Sequence, residues 1–363
     1  MAGNKTLIPL LASVAIASWT AVAHAAPGAT RTYWIAADEV VWDYAPSFPT
    51  NPMTGEAFTE PQRVFVEEGI GRKYLKALYR EYTPQWQAAV ERSPEERLLL
   101  GTLGPILRAE VGDTLVVHFR NNTRFPVSMH PHGVFYDKGS EGAPYEDDTD
   151  LKADDAVAPG DTHTYVWPVP RRAGPGPNDP SSIAWIYHSH TDEPADTNAG
   201  LIGPIIITAK GGARADATPK DVDREFVSLF SVFDENASPY LDVNQAACSS
   251  GPCDPEDEGF QESNLMHGIN GLLWGNNRGY TMRVGERVRW YIIAMGTEVD
   301  LHTPHWHGVT LLHNGHRLDV AEVLPAATKT FDLEADNAGT WMFHCHVNDH
   351  LEAGMMTTFT ILP

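Results

Sequence analysis

Between Thr340 and Met356 the chain reads TWMFHCHVNDHLEAGMM, with Cys345 between His344 and His346, followed by His350 and Met355. In a β-strand alternate side chains leave opposite faces, so His344 and His346 point one way and Cys345 the other. A thiolate with an imidazole and a thioether close behind it supplies three of the four ligands of a blue copper site, in which soft sulfur and imidazole favour copper and a weak axial Met tunes its potential. The two flanking imidazoles are left for a second metal centre on the other face. Such a strand joins two metal sites by a few covalent bonds. An enzyme needs that link if it takes electrons in at one site and uses them at another.

Ten of the sixteen histidines fall into four clusters: His130 with His132, His188 with His190, His302 with His305 and His307, and His344 with His346 and His350. Each HxH pair sets two imidazoles on one face of a strand. One such pair is weak evidence of a metal site, whereas four at equivalent points of a repeat are strong evidence. When a blue site takes His302 and His350, eight imidazoles remain, the number that can hold three copper ions around dioxygen.

The elements that must position these residues read as strands. Short β-branched or aromatic runs separated by Gly and Pro predict an all-β sandwich architecture, and the chain repeats itself at the length of a domain. LRAEVGDTLVVHF (Leu107 to Phe119) matches YTMRVGERVRWYI (Tyr280 to Ile292), HPHG matches HWHG, and AWIYHSH (Ala184 to His190) matches TWMFHCH. A first domain is expected at 26–209, a linker at 210–221 and a second domain at 222–363. Two stretches without a counterpart in the repeat, Trp42 to Gln62 and Asp234 to Gly259, are expected as long loops. One helix is expected, opening at Ser93-Pro94-Glu95-Glu96, where an N-cap serine, a proline at the first position and a glutamate at the third make a start signal.

Residues 1–25 read as a secretory signal, with Lys5, an apolar run from Leu7 to Val22 and Ala23-His24-Ala25 as the cleavage site. No later apolar run is long enough to span a bilayer, so an exported protein, periplasmic or extracellular, is expected. Cleavage leaves 338 residues, enough for two domains, with 25 basic residues against 48 acidic ones. That balance argues against nucleic acid as a partner. It suits a protein that binds several copper ions, and equally an acidic exported protein with no such role. Cys248 and Cys253 share a Ser/Gly/Pro loop and could pair in an oxidising compartment, which leaves Cys345 single.

The motifs HxH, HxH, HxxHxH and HCHxxxHxxxxM resemble those of the multicopper oxidases, over nearly all of the chain beyond the signal. IGRKYLKALYREYT (Ile70 to Thr83), GPGPNDPSSIAWIYHSHTD (Gly174 to Asp192) and MHGINGLLWGN (Met266 to Asn276) look most like the ceruloplasmin branch, and the two-domain length is like that of the small bacterial laccases. The resemblance implies two tandem cupredoxin-like Greek-key sandwiches and four copper ions per chain. His302, Cys345, His350 and Met355 match the type 1 ligands. His130 and His305 match the type 2 ligands, and His132, His188, His190, His307, His344 and His346 match the type 3 pair. Ser189 stands where Cys345 stands in the second domain and cannot make the thiolate bond, so only the second domain is expected to be blue. Proteins of this size in the family close the trinuclear site between subunits, which implies a homotrimer. Leu351 stands where several larger members carry an acid, so a proton route through that acid is not expected.

The implied reaction takes electrons singly from a reducing substrate and reduces O2 to two waters. Tyr136 looks like the tyrosine near the cluster of small laccases, and Glu141 lies in the loop where the family places a carboxylate for proton delivery; the alternative is a surface tyrosine and a solvated acid. Glu262, His267 and Asp349 resemble the iron-binding residues of ceruloplasmin, and Glu298 resembles the glutamate that reaches over from a neighbouring domain. Carboxylate oxygens with one imidazole suit Fe2+ and favour Fe3+ still more, so Fe2+ oxidation is favoured. A laccase acting on phenols and aromatic amines stays open as the alternative. A cuprous oxidase would be expected to carry a methionine-rich loop, and the nine methionines are scattered. A non-catalytic copper-binding protein has no need of a cysteine linking two sites, and a copper nitrite reductase has no use for HCH and paired HxH motifs.

Overall fold

The computed structural model describes Met1, residues 28–251 and residues 253–363; apart from Met1, the expected signal lies outside them. Among the described residues eight strands make the first half: β1 (Thr30–Asp43), β2 (Lys73–Glu81), β3 (Leu107–Glu110), β4 (Thr114–Asn121), β5 (His130–Pro131), β6 (Thr162–Pro168), β7 (Ser182–His188) and β8 (Ile202–Thr208). The second half continues with β9 (Arg224–Asp234), β10 (Leu265–Ile269), β11 (Tyr280–Arg283), β12 (Arg287–Ala294), β13 (Pro304–Trp306), β14 (Leu311–His313), β15 (His316–Leu318), β16 (Thr328–Glu334), β17 (Gly339–Cys345) and β18 (Met356–Leu362).

The strand orders β2-β1-β4-β6 and β3-β8-β7-β5 of the first half recur in the second as β10-β9-β12-β16 and β11-β18-β17-β13. In both, the opening strand runs parallel to the fourth, and the third runs parallel to the last. The second half adds a hairpin, β14–β15, turned at Asn314-Gly315 with both residues at positive φ, as a two-residue type I′ turn requires. Alternation explains the inner layers. Leu115, Val117 and Phe119 of β4 face Tyr165, Trp167, Ile205 and Ile207 in one core, and Trp290, Ile292, Trp306, Phe343 and Phe359 fill the other.

A third apolar cluster binds the halves together. Ala184, Ile186 and Ile206 of the first half pack with Val227, Leu229, Tyr291 and Ile293 of the second, which is why β8 reads as an unbroken buried run rather than an alternating one. Each fully buried Ile or Val here contributes roughly 1.5–3 kcal/mol. Arg289, itself buried, ties the same junction by donating to Ser181, Ser182, Asp221 and Asp332.

Six short α-helices occur among the described residues where one was expected: α1 (Glu60–Val66), α2 (Pro94–Leu100), α3 (Glu193–Ala199), α4 (Leu241–Gln245), α5 (Glu258–Ser263) and α6 (Asn348–Glu352). The expected one is α2. The Ser93 hydroxyl accepts from the Glu96 N–H at 3.1 Å, and the Glu96 carboxylate accepts from the Ser93 N–H at 2.8 Å. The stretch expected as a loop from Trp42 starts as the end of β1 and finishes in α1, and the one from Asp234 holds α4 and the start of α5. Helices of two turns or fewer are too short for an apolar period to show. Cys248 and Cys253 form a disulfide in the loop after α4.

Candidate metal centres

Cys345 ends β17, and its N–H donates to the carbonyl of Met355 at 3.0 Å. That bond folds α6 back over the strand and returns His350 to the thiol. Cys345 Sγ lies 3.6 Å from His350 Nδ1 and 3.9 Å from His302 Nδ1, and the two nitrogens are 3.2 Å apart. All three residues are buried. His302 is held by a reciprocal backbone bridge with Val323. Burial alone would raise the thiol, but its contacts with His302, His350 and the N–H groups of Thr303 and Val347 bring it down to about 6, so a thiolate is available near neutral pH. Met355 is buried in the same apolar cluster.

The other imidazoles gather in two groups by strand pairing. β5 against β7 sets His130 opposite His188, and β13 against β17 sets His305 opposite His344. His132 Nε2 lies 3.1 Å from His188 Nε2, and the His190 ring centroid lies 5.1 Å from that of His130. In the second group His344 Nε2 lies 3.1 Å from His307 Nε2 and 3.2 Å from His305 Nδ1, while the His346 ring is 5.3 Å from the rings of His305 and His344. Among the described residues no ring contact joins one group to the other. Chiefly through burial, His132 and His344 are lowered to about 4 and His188 to about 3, so these rings are neutral and offer lone pairs.

The glycine that follows each HxH is set by a tryptophan. Gly133 and Gly308 have φ of +74° and +70°, and a Cβ would meet the rings of Trp185 at 2.1 Å and Trp341 at 2.5 Å. Among the described residues the first half has no counterpart of the thiolate site. Ser189 Oγ donates to buried Asp196 at 2.6 Å and accepts from the Ser128 N–H at 3.0 Å, and Val127 makes the bridge with Val157 that His302 makes with Val323.

A cavity of about 200 Å³ opens beside His350, lined by Glu262, His267, Asp349, Asp234 and Asp300 among others. The His267 ring lies 5.4 Å from that of His350. Burial, reinforced by the His350 ring, lowers His267 to about 4; its Nδ1 faces the Leu265 carbonyl at 2.9 Å, leaving Nε2 for a ligand. Glu298 is exposed and outside the lining, although its neighbours Thr297 and Val299 belong to it. Sequence reasoning passed over Asp234 and Asp300. Asp300 carried only a weak signal, its place two residues before His302, which would share a face only in extended chain. The Tyr136 ring lies 5.8 Å from that of His130. Glu141 meets His130 through its backbone carbonyl at 2.6 Å, while its carboxylate binds Lys138 and Tyr145. A larger cavity, about 630 Å³ and lined by Val41, Arg80, Arg92 and Arg97, holds none of the clustered histidines; its arginines are engaged by acids and carbonyls.

Multicopper oxidase sequence profiles match residues 101–212 and 252–363, together more than half of the chain. The chain belongs to the multicopper oxidases. It is 45% identical over 343 residues to ferroxidase HEPHL1 of Homo sapiens, 43% over 349 residues to human hephaestin, and 42% over 350 residues to ceruloplasmin of Rattus norvegicus. These matches take in 92% of this chain but 29%, 29% and 31% of the relatives, so this multicopper oxidase spans under a third of their length. Two solved structures, described as a crystal structure of multicopper oxidase and as multicopper oxidase mgLAC, align with TM-scores of 0.59 and 0.58 at 19% and 20% identity. Each covers 92% of this chain, and the alignments take in 89% and 86% of those chains. At that identity they establish the all-β, cupredoxin-like fold.

The donors fit the copper that membership of the multicopper oxidases implies. The three donors around Cys345 stand 3.2–3.9 Å from one another, close enough to converge on one ion. One thiolate with two imidazoles is a soft set suited to copper.

Proposed function

We propose that this multicopper oxidase couples four one-electron oxidations of Fe2+ to the reduction of O2 to two waters. The observation that carries this reading is that His350 belongs both to the Cys345 site and to the wall of the acid-lined cavity. Copper supplies the one-electron chemistry and the reduction of O2 when bound by one type 1 set (His302, Cys345, His350, Met355), one type 2 set (His130, His305) and a type 3 pair (His132, His188, His190, His307, His344, His346). Glu262, Asp349 and the Nε2 of His267 bind the Fe2+ substrate; their hard oxygens favour Fe3+ over Fe2+ and make the iron a better reductant. His344 and His346 flank Cys345, so the cavity-side site and the second imidazole group share three consecutive residues.

Because no ring contact joins the two imidazole groups among the described residues, we read the complete oxygen site as formed between copies, the first group of one chain against the second group of the next. Head-to-tail contacts that close into a ring satisfy this, and a homotrimer is the assembly proposed. Exposed Tyr136, whose ring lies 5.8 Å from that of His130, offers surface for that contact. Glu298, exposed at the edge of its own cavity, is proposed to serve the cavity of an adjoining copy. Tyr136 and Glu141 are proposed to support oxygen reduction and proton supply. The organisation proposed is an exported chain with domains at 26–209 and 222–363.

The test is kcat/KM of the copper-loaded protein for Fe2+ and for a dimethoxyphenol, in wild type and in Glu262→Ala, Asp349→Ala and Glu298→Ala. Each change is expected to lower the Fe2+ value by about tenfold or more, roughly 1.4 kcal/mol, with little effect on the phenol. Phenol turnover that exceeds Fe2+ turnover throughout, with no response to the three changes, would assign the protein to the laccases instead.

A further inference from the structure

Asp300 sits in the turn between β12 and β13 with its carboxylate almost wholly out of water. It accepts from the Val232 N–H of β9 at 2.7 Å on Oδ1 and from the Thr297 N–H at 2.9 Å on Oδ2, and its Oδ1 lies 3.1 Å from His302 Nε2. Room for it is made by Gly296, at φ +136°, where a Cβ would stand 2.0 Å from Oδ2. Asp300 Oδ1, which already accepts from Val232, faces His302 Nε2 as an acceptor, so the ring proton of His302 is assigned to Nε2. The lone pair of Nδ1 is thereby turned toward Cys345 Sγ and His350 Nδ1. His350 has a different setting, since it borders the cavity. The two imidazoles of the thiolate site are thus inequivalent: one is backed by a fixed negative charge, the other borders the substrate cavity.

We infer that Asp300 is a positioning residue for His302, fixing its tautomer and ring orientation and setting, through its charge, the balance between the oxidised and reduced states of the copper held there. The inference rests on the thiolate-site reading above. A histidine ligand that donates its second N–H to a carboxylate is more basic and held in one orientation, and the anion favours the more highly charged oxidised ion. Two backbone donors clamp the carboxylate from separate segments, so the acceptor that faces His302 Nε2 is itself held in place.

The experiment is a redox titration of the blue absorption in copper-loaded wild type and Asp300→Asn, without iron. The amide keeps the shape and an acceptor oxygen but removes the charge. The expected result is a blue band that persists with a potential raised by about tenfold in the one-electron equilibrium, about 59 mV. A band and potential equal to wild type overturn the inference, and a wild type with no blue band overturns the site reading beneath it. Should Asp300→Asn not fold, the reduced, copper-loaded wild type labelled with 15N-histidine gives a second readout. The His302 ring proton is then expected on Nε2 and protected from exchange; a proton on Nδ1, or one in free exchange, overturns the inference.

Discussion

Cys345 and Ser189 stand at equivalent places in the two halves, yet the Cys345 sulfur lies 3.6 Å from an imidazole nitrogen while the Ser189 hydroxyl donates to Asp196 at 2.6 Å. Repetition of the fold has been kept and repetition of the chemistry has not. Cys345→Ser is therefore expected to abolish the blue absorption and to lower bound copper by one ion per chain. Ser189→Ala is expected to leave the colour intact and to lower stability by about 1–3 kcal/mol, since it strips a buried carboxylate of a donor. Visible spectra, metal analysis and thermal melts of the two variants check this; blue colour surviving in Cys345→Ser would place the thiolate site elsewhere.

A site completed between copies has a signature that an internal site lacks. His132→Ala damages only the first imidazole group and His307→Ala only the second, and each variant alone is expected to lose oxygen uptake. Dissociated and reassociated together, the two are expected to regain activity, because about a quarter of the contacts in a randomly mixed ring unite two intact groups. Oxygen consumption by the mixture, measured against each parent, decides it, and no recovery after verified reassembly would count against the intersubunit arrangement.

The HxH pairs were legible because a period of two is a property of the extended chain itself, and the register of His130 with His188 and of His305 with His344 completes what the spacing begins. The Ser93–Glu96 box was legible for a similar reason, as a local reciprocal bond. Thr59-Glu60-Pro61-Gln62 carries the same signature and opens α1, but it lay within a stretch read as loop from its turn residues. Asp300 shows where local reading stops: without the fold it is one acid among many, and only the approach of β9 and the turn at Thr297 makes it a buried acceptor. The exclusion of Glu298 from its own cavity is equally a matter of how the turn folds, since the residues on either side of it point in.

The glycine after each HxH is expected to control metal loading as well as stability. A methyl at Gly133 or Gly308 would enter the ring of Trp185 or Trp341 from a backbone with positive φ, a combination of overpacking and strain that typically costs about 1–3 kcal/mol. Relief requires the turn to shift, and the turn carries His132 or His307. Gly133→Ala and Gly308→Ala should each melt earlier and bind less copper, with the blue site of Gly133→Ala unaffected because Cys345 lies in the other half. Metal analysis alongside the visible spectrum separates the two effects, and full copper content in both variants would show that the turn tolerates the methyl.

The halves are also joined by a buried ion pair, and it bears on the cavity. Lys76 of β2 meets Glu235, just beyond β9, with both side chains fully buried; Tyr44 donates to the same carboxylate oxygen at 2.5 Å, and Lys76 also donates to the Asn198 carbonyl at 2.6 Å. Asn198 in turn accepts from the Asp234 N–H at 3.0 Å and lines the cavity beside His350. Removing one partner leaves an uncompensated buried charge, so Lys76→Met and Glu235→Leu are each expected to lose about 3–5 kcal/mol, whereas an apolar replacement of both is often neutral or stabilising. The double variant should therefore recover much of the stability in denaturant titrations. It cannot restore the donor to Asn198, so KM for Fe2+ is expected to stay raised after stability has returned. A double variant with wild-type KM would show that the lysine holds the fold and has no part in shaping the cavity.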